Sequence, residues 1–336
     1  MATDLSSIVI SSRIRLARCL AKMPFPNRLS DEKGTDVLSK INGALKNFKF
    51  TLYKCKNLPE LDSELLREKH LISSDLLEHK NISGVLLNDD ETVAIMINEE
   101  DHVREQCIMP GLALNKAYET INKIDDELLR NLDIAFDSEL GFLNSCITNV
   151  GTGMRASVMV FLPALTMLGE INAHITTLSN QGFVVRGVYG EGSGSSGYMY
   201  QVSNSRSLGV SEREIISGVE ASVKRLCMLE IDARNRLLSE RHDEIVDRVW
   251  RSFGLLTNCY KLGADEFMKL AGEVKIGLAL GLLRFKDCYI IDKLIFKCMP
   301  SSLIKIAGRT MSGSETDKFR AEYVGKFLED NRINRR

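Results

Sequence analysis

The chain opens on an alternation. Residues 8–18 read Ile8-Val9-Ile10-Ser11-Ser12-Arg13-Ile14-Arg15-Leu16-Ala17-Arg18. In a strand this order puts Arg13 and Arg15 on one face and Ile14 and Leu16 on the other. Val93-Ala94-Ile95-Met96-Ile97 predicts a buried strand, and residues 183–186 and 198–202 are further strand-like runs. Helical spacing predicts a helix from a Ser30 cap to about Asn47, through Val37, Ile41 and Leu45, and a second near 61–79 with Leu65, Leu66 and His70. A third runs from about Leu114 to Leu129 with Ala117, Ile121, Ile124 and Leu128 as its apolar stripe. An apolar helix is expected from about Ala156, kinked or shortened by Pro163. Ser211-Glu212-Arg213-Glu214 is a capping box before a long helix carrying Ile215, Val219, Val223 and Leu226. Beyond about residue 235 the pattern is helical throughout: Ile245, Val246, Val249, Trp250 and Phe253 make one face, and 267–283, 288–296 and 318–328 follow. The expected division is an α+β part over 8–234 and an all-helical part over 235–336.

Composition adds limits. The 336 residues allow about two domains, and 44% apolar content is enough for real cores. A net charge of −1 gives no support to general nucleic-acid binding. No apolar run nears the ~18 residues of a membrane helix. The start, Met1-Ala2-Thr3-Asp4, has no signal-peptide pattern, so a cytoplasmic protein is expected. Eight scattered cysteines without Cys-x-x-Cys spacing indicate neither a zinc site nor a disulfide framework, and no protein-held metal is expected.

Candidate chemistry clusters in a few stretches. Asn98-Glu99-Glu100-Asp101-His102-Val103-Arg104 sits where the Val93–Ile97 strand should end, and reads either as a solvated turn or as a site. Asn149-Val150-Gly151-Thr152-Gly153 could offer backbone N–H groups to an anion just before a helix, with Arg155 in its first turn. A cation is disfavoured there, so Arg155 should have an anionic partner. Arg186 opens a glycine-rich loop holding a single carboxylate, Glu191. Cys146 reads first as a packed thiol, and His70 first as a packing histidine. Five arginines (Arg13, Arg15, Arg104, Arg155, Arg186) over four segments suggest a polyphosphate, because the guanidinium fork fits phosphate oxygens. There is no Gly-x-x-x-x-Gly-Lys loop and no His-Arg-Asp or Asp-Phe-Gly set.

Taken in order, Ser11-Ser12-Arg13-Ile14-Arg15, Asn98 to Arg104, Cys146 followed by Asn149-Val150-Gly151-Thr152-Gly153-Met154-Arg155-Ala156, and Arg186-Gly187 with Glu191 resemble the phosphagen (guanidino) kinase family. The match is closest to the bacterial branch that phosphorylates arginine on proteins. The resemblance implies an antiparallel sheet surrounded by helices and transfer of the ATP γ-phosphate to a guanidinium nitrogen, with ATP and Mg²⁺ required. By motif, Glu100 is the catalytic carboxylate, Glu191 its partner, and Cys146 the thiol that positions the guanidinium. Nucleotide contacts fall on Ser11, Ser12, Arg13, Ile14 and Arg15, on His70 and Arg104, on Arg155, Ala156, Ser157, Val158 and Met159, and on Arg186, Gly187, Val188, Tyr189 and Gly190. Asp317 and Arg320 match a phosphoarginine pocket, but Thr316 stands where its first arginine belongs.

The helical part would then regulate or dimerise. Expected partners are proteins with exposed arginines, a zinc-binding activator, a heat-shock repressor, a Clp protease and a second copy, in stress response and protein quality control. Small-molecule members carry a helical domain before the Ser-x-Arg-x-Arg strand, which here begins ten residues in. An open site for protein-borne arginine is therefore expected. The alternatives are a kinase for free arginine or another small guanidine, and a non-catalytic phosphoarginine or nucleotide adaptor.

Overall fold

In the computed structural model the described residues are 5–188 and 196–333. The first half of the chain builds one face of a sheet and covers it as it goes. β1 (Val9–Arg18) is followed by α1 (Asp31–Ala44), whose cap Ser30 accepts a hydrogen bond from the Lys33 N–H. Next come β2 (Thr51–Lys54), α2 (Glu60–Glu68), α3 (Ser74–Glu78), β3 (Gly84–Leu87), β4 (Val93–Ile97), β5 (Val103–Pro110) and α4 (Leu114–Asn131). A small hairpin, β6 (Phe136–Asp137) with β7 (Gly141–Phe142), leads to β8 (Met154–Phe161). Then follow α5 (Pro163–Met167), α6 (Ile171–Asn180), β9 (Phe183–Gly187) and β10 (Met199–Asn204).

Eight strands form one sheet in the order β2-β3-β4-β5-β1-β8-β10-β9, each antiparallel to its neighbours. β1 is thus near the middle, between β5 and β8. Ile14 and Leu16 of β1, with Ala156, Val158 and Val160 of β8, are buried on one face, where α4 and α7 (Glu212–Glu240) pack. The other face carries the arginines.

Two expectations change here. Residues 154–161 are a strand, and the period is legible once looked for: Ala156, Val158 and Val160 alternate with Arg155, Ser157 and Met159. Pro163 opens the short α5 in its first turn, where its missing N–H is harmless. The helix expected over 61–79 breaks at His70, whose φ of +59° no helix accepts. The Gln106 side chain donates to the His70 carbonyl and holds that turn.

α7 begins at the predicted capping box and runs unbroken past residue 235. It is followed by α8 (His242–Asn258), α9 (Ala264–Ala279), α10 (Ile290–Lys297), α11 (Pro300–Ala307) and α12 (Gly313–Asn331). Two polar joints tie these helices to the sheet region. Glu68 of α2 accepts the Ser301 and Ser302 N–H groups at 2.7 and 3.0 Å, so a carboxylate caps the start of α11. At the other joint Glu273 of α9 accepts the Tyr198 hydroxyl and pairs with Arg248 of α8. Among the described residues no helix is long and apolar enough to cross a membrane.

Candidate active site

Register gathers the arginines. Arg15 stands directly opposite Arg155 across β1 and β8, and Arg104 opposite Ala17 across β1 and β5. Arg13 faces Ser157, which pairs with Ser203, and Arg186 faces Gln201 at the sheet edge. With side chains alternating along each strand, Arg13, Arg15, Arg104, Arg155 and Arg186 all project from the same face.

Electrostatically this arrangement is unpaid for within the protein. Among the described residues, the five arginines make one ion pair, Arg104 with Glu99. Burial opposes charge on both members of that pair, but their attraction outweighs it: Glu99 is held below the usual carboxylate range and Arg104 above its ordinary value. Ser73 also donates to Glu99, at 2.5 Å. The others are crowded by like charge. Burial, then Arg104 and Arg155, brings the Arg13 guanidinium down to about 10. Arg15 is driven well below its ordinary value by burial and by Arg13, and Arg155 is lowered by burial and by Arg186. The Nε atoms of Arg15 and Arg155 are buried and have no hydrogen-bond partner. Groups like these need an anion from outside. A cavity of about 530 Å³ opens over Arg13, Arg15, Arg104 and His70. Burial, then Arg13 and Arg67, lowers the His70 pKa below its ordinary value.

The carboxylates sit at the rim. Residues 98–102 form the β4–β5 turn, with Asn98 at φ +58° and its amide donating to the Gly34 and Ile82 carbonyls. His102 is spent on structure: its Nδ1 accepts from the Leu20 N–H, so Nε2 donates to the Pro24 carbonyl. Asp101 is buried, accepting from the Ser145 N–H at 2.6 Å and from Cys19 Sγ. Glu100 is exposed, and among the described residues one hydrogen bond reaches it, from Asn149 Nδ2 at 3.4 Å. The same amide donates to Asp101 at 3.0 Å. Asn149 thereby ties the turn bearing half-buried Cys146 to the turn bearing Glu100. Cys146 Sγ lies 3.0 Å from Thr148 Oγ1.

Several expectations are corrected. The side chains of Ser12, Ile14, Ala156 and Val158 point away from the arginines into the core, and Ser12 Oγ bridges Gly111 O and Ala113 N. The stretch 149–153 is no anion nest. Its amides at Gly151 and Thr152 donate to Phe142 O and Ser207 O, and a Cβ on Gly151 would lie 2.3 Å from Ser207 O. These glycines serve backbone packing. Ser11, Ser157, Met159, Gly187 and Val188 remain on or beside the arginine face, whereas Tyr189, Gly190 and Glu191 lie outside the described residues. Arg320 is fully buried, donating to the Cys298 and Leu262 carbonyls and to Asp317, and the Thr316 hydroxyl donates to Ser312 O. Gln106 was not singled out from sequence, and Glu99 and Asn149 stood inside candidate stretches with no role of their own. The five-residue step from Glu99 to Arg104 across a tight turn was the available signal.

An arginine-lined sheet face with an exposed carboxylate at its rim is the site of a phosphotransferase. Family comparison gives the particular kind. The model of the ATP:guanido phosphotransferase C-terminal catalytic domain matches residues 33–233, and that of the protein-arginine kinase McsB C-terminal domain matches 242–335. The chain is 43% identical over 327 residues to the protein-arginine kinase of Caldanaerobacter subterraneus subsp. tengcongensis, covering 96% of this chain and 97% of that one. It is 43% identical over 320 residues to the protein-arginine kinase of Halothermothrix orenii, covering 94% and 92%. Among solved structures, lombricine kinase matches at 25% identity with a TM-score of 0.59, over 67% of this chain and 66% of that one. A duplicated taurocyamine kinase from Schistosoma mansoni with bound transition-state-analog components matches at 25% identity and 0.62, over 80% and 40%. The chain belongs to the ATP:guanido phosphotransferase family, in its protein-arginine kinase branch.

Proposed function

We propose that the protein transfers the γ-phosphate of ATP to arginine side chains displayed on other proteins. The observation that carries this is the shared face of five arginines, with the Nε atoms of Arg15 and Arg155 unpartnered among the described residues, beside the exposed Glu100. In this reading Arg13, Arg15, Arg104, Arg155 and Arg186 hold the phosphates, with Ser11, His70, Ser157, Met159, Gly187 and Val188 around the nucleotide. A guanidinium is a poor nucleophile because its lone pairs are delocalised and it carries a proton too many. Glu100 orients the guanidinium and takes that proton as a nitrogen attacks the γ-phosphorus. The N–P bond forms, the P–O bond to ADP breaks, and the charge leaving on ADP stays among the arginines. Cys146 helps fix the guanidinium plane, and Glu191 is the second carboxylate. Among the described residues no group of three or more His, Cys, Asp or Glu side chains could hold a metal. In this reading magnesium arrives with the substrate as MgATP, carried on phosphates and water.

Protein rather than free arginine is favoured by the names of the relatives, two of them 43% identical over nearly the whole chain. The wider proposal places catalysis in 8–234 and regulation or dimerisation in 235–336. On resemblance alone it includes a cytoplasmic homodimer working with a zinc-binding activator, a heat-shock repressor and a Clp protease. The test is phosphosite mapping after incubation with ATP, Mg²⁺ and an unfolded protein, at neutral pH because N–P bonds are acid-labile. Free arginine runs in parallel. Phosphoarginine on the protein supports the reading; product on free arginine alone replaces it.

A further inference from the structure

The arginine face carries a second cavity, of about 670 Å³, which adjoins the first: Arg13 and His70 line both. Its floor includes Ser11 and Met159, opposite each other across β1 and β8, and Val188 at the end of β9. Its far wall comes from the helical C-terminal part. Tyr289, the N-cap of α10, lines it together with Lys293 and Phe296 of that helix, at the four- and three-residue steps that share one helical face. The opposite face of α10, with Ile290, Ile291, Leu294 and Ile295, is buried in the core. Tyr289 and Phe296 are 47% and 40% exposed, two large aromatics left partly in water at the cavity edge.

We propose that Tyr289 and Phe296 form the outer wall of the adenosine subsite, so that the helical C-terminal part binds nucleotide directly. The proposal rests on the nucleotide reading above and extends it to residues outside the catalytic part. Continuity is the first argument: a polyphosphate lying over Arg15 and Arg104 passes Arg13 and delivers its nucleoside into this second cavity. Chemistry is the second. Here apolar and aromatic side chains, Ile108, Met109, Met159, Val188, Tyr289 and Phe296, join Arg13 in the lining and suit a flat neutral base, while Lys69 is engaged with Glu91. The two charged α10 residues that line the cavity are already met, because Asp292 pairs with Lys275 and Lys293 with Asp287. The aromatic faces are what remains to offer. α10 leads straight into α11, whose start is capped by Glu68, so nucleotide binding and docking of the C-terminal helices would be thermodynamically linked.

The experiment compares ADP with inorganic tripolyphosphate, both with Mg²⁺, by calorimetry on full-length wild type, Tyr289→Ala, Phe296→Ala, Phe296→Trp and Arg155→Ala. The alanine variants should weaken ADP by roughly fivefold or more and leave tripolyphosphate unchanged. Phe296→Trp should keep ADP affinity, and its fluorescence should respond to ADP. Arg155→Ala should weaken both ligands. If ADP binding is unchanged in both alanine variants while Arg155→Ala is impaired, the α10 wall is wrong and the phosphate face stands. Equal losses of ADP and tripolyphosphate also overturn the wall, because the effect then travels through the phosphate face. A raised KM for protein substrate with intact ADP binding assigns the cavity to substrate and overturns it too. Unchanged binding in Arg155→Ala brings down the nucleotide reading and this proposal together.

Discussion

Arginine is buried in two different ways in this protein. Arg18 and Arg320 are enclosed and satisfied. Arg18 makes two bonds to Asp125, donates to the Ala17 and Thr152 carbonyls, and stacks 3.6 Å above the Phe142 ring. Beside Arg18 and Asp125, Glu105 is fully buried, and burial together with Asp125 pushes its carboxyl well above the usual range. Arg320 is enclosed by carbonyls and Asp317. On the sheet face, by contrast, Arg15 and Arg155 confront each other with their Nε donors unmet among the described residues, although Arg155 Nη2 donates to Ser203 Oγ at 3.1 Å. A satisfied buried arginine holds the fold together. A crowded, unsatisfied one is waiting for an anion.

The rim is where the largest effect is expected. Glu100 has one long hydrogen bond among the described residues and is exposed, so Glu100→Gln should cost ~10²–10⁴ in phosphorylation rate while ATP affinity and Tm hold. Near-normal turnover in that variant would remove Glu100 as the base. In the enclosed region Arg18→Ala should cost about 3–5 kcal/mol of stability by stranding Asp125, measured by denaturant unfolding. On the open face Arg155→Ala should do the reverse: ATP binding roughly tenfold weaker, with Tm held or raised. If Arg155→Ala melts early and binds ATP normally, the contrast between the two regions fails.

Arg13 sharpens the contrast through pH. Its pKa falls from 12.5 to about 10 in the folded protein. Between those values the unfolded chain holds a proton that the folded one has released, so stability gains as pH rises from about 10 toward 12.5, and the penalty is complete below about 10. A bound polyphosphate raises the pKa again. ATP binding near pH 10 should therefore take up protons, measurable by calorimetry in buffers of different ionisation heat. Uptake undiminished in Arg13→Met would point elsewhere, since Arg15 and Arg155, also lowered, can account for only part of it. The smallest effect is expected at Arg320: with its guanidinium already engaged, phosphoarginine should neither bind at micromolar concentration nor stimulate activity, and a titration showing both would return it to the open class.

Much of this was legible along the chain. The alternation of Arg13, Ile14, Arg15 and Leu16 dictates the strand and its faces, and the Ser211 capping box dictates the start of α7. Glycines and Pro163 around Arg155 suggested a helix start, and the two-residue period that contradicts them was outweighed. The arginine face itself depends on strand order, which brings β8 beside β1 from over a hundred residues away. His70 leaves its helix through a backbone angle that its neighbours do not announce. The second face of α10 has meaning only once the helix is docked. Glu191 was read from its motif and lies outside the described residues.

Consider, finally, how closely the sheet region and the helical part touch at Gly197. It lies backbone to backbone on α9, where a Cβ would come within 2.8 Å of the Met268 carbonyl. The fit is closed from the other side as well, because a Cβ on Gly272 of α9 would lie 2.9 Å from the Gly197 Cα. Neither partner can gain a methyl group without parting the two backbones, so this contact works as a gauge of the distance between the sheet region and α9.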